Sequence, residues 1–186
     1  MSHLKVSAVI LAGGRATRLN GEDKGLYEFK NKPLISYVLH TLKNQCADIV
    51  ISANRNLKQY QTFGYQVMTD GNNNFEGPLK GLSEAMQSCE CEKILVTSCD
   101  MPFLPPNLIE VFDAQSNADV QIISVAGRMQ LCFLIKKSLR AVLQAYLQSG
   151  GNRVMAWVKS LDYVEIEYQS DSHHFKNLNT PEDFLN

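Results

Sequence analysis

The sequence predicts an α/β protein in three layers, a mainly parallel central sheet with helices on both faces. Three observations carry this. Strand-length apolar runs bounded by turn signals recur along the chain, with stretches of helical periodicity between them. The first run, Val6 to Leu11, is nearly all apolar, as befits a strand covered on both faces, and ends abruptly before Gly13-Gly14. A length of 186 residues suits one core of ordinary size. With no internal repeat, low-complexity tract or linker, residues 1–186 read as a single domain.

After the first strand, Ile35, Val38, Leu39 and Leu42 share one face of a helix, with Pro33 expected in its first turn. Asp48 to Ala53 and Tyr65 to Thr69 read as strands, and Leu79, Leu82 and Met86 as a second helical face. Lys93 to Cys99 reads as a strand. Beyond Pro105-Pro106 a short helix carries Leu108, Val111 and Phe112. Val120 to Ala126 and Leu131 to Ile135 are expected as strands separated by Gly127. Leu139, Val142, Leu143, Tyr146 and Leu147 form a helical face closed by Gly150-Gly151. Arg153 to Leu161 reads as a helix, Tyr163 to Tyr168 as an edge strand, and Thr180-Pro181-Glu182-Asp183 as a helix start with its N-cap and N1 proline.

Composition excludes several classes of function. The chain is 45% hydrophobic and 20% charged, with a net charge of -1 and a pI near 6.4, so nothing general draws it to nucleic acid or an anionic membrane. Met1 to Val9 lacks the features of a signal peptide, and no membrane-length apolar run occurs, so a soluble cytoplasmic protein is expected. The five cysteines are odd in number, and Cys89 and Cys91 form neither a redox pair nor half of an evident zinc site. They read as reduced structural thiols, Cys99 being notable for standing beside Asp100.

Chemistry concentrates first in Leu11 to Lys24, LAGGRATRLNGEDK, which places three glycines and three basic residues directly after a strand. Glycine lets a backbone approach a phosphate and turn N–H groups toward it, while Arg15, Arg18 and Lys24 supply charge along the phosphates. Composition alone leaves a solvated surface loop equally open. Spacing excludes two common phosphate motifs: there is no G-x-x-x-x-G-K-[ST], and Gly13-Gly14 with Gly21 does not make G-x-G-x-x-G. A GTPase switch and an NAD-linked oxidoreductase are disfavoured.

The LAGG opening, Arg18, Asp23-Lys24-Gly25 and Lys32-Pro33-Leu34 resemble the amino-terminal signature of nucleotidyltransferases with a glycosyltransferase-A-like, Rossmann-like fold. With Ser98-Cys99-Asp100-Met101-Pro102 and the closing Asn177-Leu178-Asn179-Thr180-Pro181-Glu182, the chain most resembles the molybdenum cofactor guanylyltransferases, nearly end to end. The resemblance implies transfer of GMP from GTP to the terminal phosphate of molybdenum-molybdopterin, giving the guanine dinucleotide cofactor and pyrophosphate. It implies a nucleotide half over roughly residues 1–105 and an acceptor half over roughly 106–186. It implies nucleotide contacts from Leu11, Ala12, Gly13, Gly14, Lys24, Asn54, Asp70 and Asp100. Arg18, Lys24 and Asp100 would take catalytic roles, and Arg153, Asn177 and Asn179 would lie on the pterin side. Molybdenum-insertion proteins and molybdoenzyme chaperones would be its protein partners. Gly127 to Cys132 departs from the family pattern, in which a histidine-proline pair often precedes the strand.

The residues themselves support an acidic site. Asp100 follows the apolar Ile94-Leu95-Val96 and precedes Met101-Pro102, which puts it at the carboxyl end of a central strand, where open α/β sheets present ligands. Mg²⁺ commonly takes one or two protein carboxylates together with phosphates and water, so one aspartate can hold it; the alternative is that Asp100 caps the next turn. Asp70, after Val67-Met68-Thr69, is placed for nucleotide contact or for ordering the cation. Asn54 stands past the strand Asp48 to Ala53, as a nucleotide contact or a turn residue. Gly77-Pro78 opens a helix that either faces the nucleotide or is plain punctuation. No protein nucleophile is needed, and His3, His40, His173 and His174 show no metal-ligand spacing. Two other functions stay open: nucleotidyl transfer from CTP or UTP to form a cytidylated pterin or a sugar nucleotide, and non-catalytic nucleotide binding or partner docking.

Overall fold

The computed structural model describes residues 6–12, 23–71, 77–113 and 116–184. In chain order these hold β1 (Val6–Leu11), β2 (Glu28–Phe29), β3 (Lys32–Pro33), α1 (Leu34–Leu42), β4 (Asp48–Ser52), α2 (Leu57–Gln61), β5 (Gln66–Met68) and α3 (Pro78–Ser88). They continue with β6 (Lys93–Ser98), α4 (Leu108–Val111), β7 (Val120–Val125), β8 (Arg128–Lys136), α5 (Arg140–Gln148), α6 (Val154–Lys159) and β9 (Tyr163–Glu167). Short 3-10 turns lie at Lys24–Leu26, Lys137–Leu139, Ser172–Phe175 and Pro181–Phe184.

The central sheet has seven strands in the order β5-β4-β1-β6-β8-β7-β9. β5, β4, β1 and β6 run parallel, β8 is antiparallel to both neighbours, and β9 lies parallel to β7. Strand alternation sorts the core. Val6, Ala8 and Ile10 of β1 pack with Ile35, Val38, Leu39 and Leu42 of α1, while Val9 and Leu11 pack on the opposite face with Leu79, Leu82 and Met86 of α3 and Trp157 and Val158 of α6. Helices therefore cover both faces, as expected.

Four details differ from the sequence reading. Pro33 is not inside α1 but is its extended N-terminal flank (φ -55, ψ 139), held in a hairpin whose turn residues Lys30 and Asn31 take positive φ. β8 begins at Arg128 rather than Leu131, because Ala126 and Gly127 at positive φ make a tight turn that leaves no room for a longer loop. α2 was not anticipated, since Tyr60 is its one buried residue and a single anchor has no period. The helix expected to start at Thr180-Pro181 does begin at Pro181, but as one 3-10 turn, Pro181–Phe184, in which Asp183 reaches back to accept the N–H groups of Asn179 and Thr180 at 2.9 and 3.0 Å.

Candidate active site

The register of β1 pairs Leu11 with Ser52 of β4 and Ser98 of β6, and Ser52 pairs with Met68 of β5. Four parallel strands thus end together, and the residues just beyond them (Ala12, Asn54, Asp70 and Asp100) share one edge of the sheet. The chain goes from β1 to β4 on one side and, after β5, returns through α3 to β6 on the other side, so the order reverses between β1 and β6. Ligands of open α/β sheets bind at such a switch point.

At the β6 end, Asp100 is buried, with 7% of its surface exposed. Its Oδ2 accepts the Lys24 ammonium at 2.5 Å, and the same ammonium donates to Asn179 Oδ1. The Asp100 carbonyl accepts the Leu178 N–H at 3.0 Å, which seats the carboxyl-terminal segment on the strand end. Asp100 Oδ1 is buried and has no hydrogen-bond partner. A buried carboxylate oxygen without a donor is costly, and a hard cation is the partner its chemistry suits. Among the described residues no cluster of three or more His, Cys, Asp or Glu offers a metal cage. Asp100 could hold a divalent ion, with the remaining ligands drawn from substrate and water.

At the other end of the same edge, Asn54 ties two strand ends together. Its amide donates to Asp70 Oδ2 at 2.8 Å, and its carbonyl oxygen accepts the Thr69 hydroxyl at 3.1 Å and the Asp70 N–H at 3.2 Å. Between them, the Ala12 N–H donates to the Ser52 carbonyl at 2.8 Å, and the Leu11 carbonyl accepts the Cys99 N–H at 3.1 Å. These two backbone groups serve the sheet. Gly13, Gly14 and Arg18 lie outside the described residues.

The expected acceptor residues do not all meet. Asn179 joins Lys24, and Asn177, whose buried Oδ1 has no hydrogen-bond partner, is two residues away in the same segment. The Asp183 carboxyl that organises this segment lies below the usual carboxylate range, foremost because of the N–H groups of Asn179 and Thr180. Arg153 instead flanks α6 with an exposed side chain, next to Asn152, whose carbonyl lies beside Gly77 at the start of α3. No described contact links it to Lys24 or Asp100.

Sequence reasoning missed Asp23. Its carboxylate is buried and accepts Tyr60 Oη at 2.5 Å, the Gly25 N–H at 3.2 Å and the Asn56 amide at 3.0 Å, with Arg55 Nε at 3.5 Å. The Asp23-Lys24-Gly25 triplet was the available signal, but the partners come from a segment more than thirty positions away. Cys99 packs beneath this turn, and burial raises its thiol, with Asp100 adding to the effect. Burial likewise pushes Cys46, Cys89 and Cys132 up to about 12. All five cysteines are free thiols, and these four are inert ones.

Residues 8–164 match the MobA-like NTP transferase domain. The chain belongs to that family. Within the family it is 38% identical over 182 residues to proteins named molybdenum cofactor guanylyltransferase from Shewanella halifaxensis and Shewanella pealeana, covering 96% of this chain and 91% of each relative. A solved structure of molybdopterin-guanine dinucleotide biosynthesis protein A from Archaeoglobus fulgidus superposes with a TM-score of 0.77 over 96% of this chain and 94% of that one, at 21% identity, a likeness of fold. As a MobA-like transferase the chain is a nucleotidyltransferase. None of its described helices is long and apolar enough to cross a membrane.

Proposed function

We propose that this nucleotidyltransferase moves GMP from GTP to the terminal phosphate of molybdenum-molybdopterin, releasing pyrophosphate. The observation that carries nucleotidyl transfer is Asp100, a buried carboxylate at the switch point with Lys24 on one oxygen and no hydrogen-bond partner on the other. Base and acceptor are those of the relatives, which match this chain along almost its whole length. We read residues 1–186 as one domain, supported by the pairing of β6 from the nucleotide half with β8 from the acceptor half.

The acceptor phosphate is already an anion, so this chain need not remove a proton; its task is to align the attack and balance charge. Asp100 is the residue that would hold Mg²⁺, which when bound neutralises charge on the reacting phosphates and steadies the leaving pyrophosphate. Lys24, which bridges Asp100 and Asn179, moves its charge toward the triphosphate as the nucleotide enters, with Arg18 as a second cation. Asn54 and Asp70, already fixed to each other, form a rigid edge for the nucleoside, completed by the backbone of residues 11–14. Asn177 and Asn179 address the acceptor, and Arg153 reaches it from α6. A cytoplasmic setting would supply GTP, and molybdenum-insertion proteins and molybdoenzyme chaperones would exchange pterin with it.

The test is pyrophosphate release across the four nucleoside triphosphates with a molybdopterin source, alongside heat protection by each nucleotide. GTP should support release and raise the melting temperature, since binding to the native state stabilises it, while CTP should do neither. Equal response to CTP would favour a cytidylyl transferase.

A further inference from the structure

We propose that Asp23 is a positioning residue for the transfer reaction, clamping the turn that presents Lys24 to Asp100 onto the segment from Arg55 to Tyr60. The inference rests on the nucleotidyl-transfer reading of the site. Three hydrogen-bond donors and one ion-pair partner converge on one buried carboxylate: Tyr60 Oη and the Gly25 N–H on Oδ1, the Asn56 amide on Oδ2, and the Arg55 guanidinium 3.5 Å from Oδ2. Three of the four lie more than thirty positions along the chain, and two of these show how the contact is built. Asn56 directly precedes α2, where an asparagine usually accepts a helix N–H, yet it makes no such cap bond, stands at φ 52, and turns its amide to Asp23. Tyr60 is buried and its phenol is raised well above its ordinary value, foremost by that burial, so it stays a donor at every working pH.

The turn is also pressed into place from below. A Cβ on Gly25 would strike Tyr60 Oη and lie 3.3 Å from Cys99 Sγ, so glycine lets the turn sit flush on the tyrosine. Asp23 also accepts the Leu26 N–H through its carbonyl at 3.1 Å, completing a 3-10 turn over Lys24–Leu26. Lys24, one residue on, delivers its ammonium to Asp100 and Asn179. The Asp23 carboxylate makes no described contact with these two residues. Its effect on them passes through the backbone it fixes.

The experiment uses the full chain with Asp23→Asn, Tyr60→Phe, Lys24→Met and the Asp23→Asn/Lys24→Met double variant. Asp23→Asn should lower kcat on the order of 10- to 100-fold, the usual cost of losing a group that orients a reacting one. Tyr60→Phe, which removes one oxygen and keeps the ring, should lower it less, with the same direction. In the double variant the loss should equal that of Lys24→Met alone, because a residue acting through Lys24 has nothing left to act on. Lys24 labelling by an amine-acylating reagent, read by peptide mass spectrometry without nucleotide, should rise in Asp23→Asn and Tyr60→Phe. Losses that multiply in the double variant, or unchanged Lys24 labelling with wild-type kcat in Asp23→Asn, would overturn the positioning role. Absence of transfer by the wild-type chain overturns the underlying reading instead, while the labelling result still reports on the clamp.

Discussion

Asp100 meets two demands with its two oxygens. Oδ2 accepts the Lys24 ammonium, and Oδ1 has no donor. Replacing it with asparagine keeps the size and removes the charge that a divalent cation needs. Asp100→Asn should fold, bind GTP without Mg²⁺ much as before, and lose Mg²⁺-dependent turnover on the order of 10³-fold, since such a cation contributes several kcal/mol to the transition state. Near-normal turnover with an unchanged Mg²⁺ requirement would move the cation elsewhere, with Asp70 the first candidate. Asp100 was legible in the sequence because a strand end and a following Met-Pro fix its place locally. Asp23 was not, because its meaning lies in Tyr60, Asn56 and Arg55, which only the fold brings near. Arg153 shows the converse: its type suits a phosphate, but it stands exposed at the start of α6, and no described contact joins it to Lys24 or Asp100.

At the scale of elements, the site depends on how closely α3 lies on the ends of β4 and β1. Gly81 lets it approach: a Cβ there would strike Ser52 Oγ, the last residue of β4 and the partner of Leu11. Gly81→Ala should therefore cost about 1–3 kcal/mol, as overpacking does. In a Ser52→Ala background the obstructing oxygen is gone and only the Ser52 Cβ remains, at an ordinary 3.6 Å. The same change should then be neutral or stabilising, because alanine gains about 1 kcal/mol over glycine inside a helix. Urea unfolding of the four proteins checks this, and an equal penalty in both backgrounds would mean that something other than Ser52 opposes the methyl group. The long elements were readable from period because α1, α3 and the buried strands carry several apolar residues each. The hairpin of β2 and β3 and the single-anchor α2 were not, since two residues or one buried tyrosine make no pattern.

Over the whole molecule, the carboxyl-terminal segment closes on the amino-terminal half. Leu178 is buried with Phe29 and Leu34, Phe184 lies 4.5 Å from Tyr27 between ring centroids, and Asn179 reaches Lys24. Asp183 holds this segment in shape by accepting the Asn179 and Thr180 N–H groups, with Lys176 at 3.4 Å from its other oxygen. Its carboxyl titrates lower in the folded protein than in the unfolded chain, where about 3.9 is usual. Its contribution is therefore complete above that ordinary value and is lost as pH falls through the lowered one. Asp183→Asn should melt below the wild type near neutral pH, and the gap should close in strong acid, where the wild-type carboxyl is protonated too. The difference between the two melting curves reports on this carboxyl and on Glu182, which feels the charge of Asp183. A gap that stayed constant into strong acid would show that Asp183 acts through shape alone, and would leave Leu178 and Phe184 as what holds the segment over Lys24.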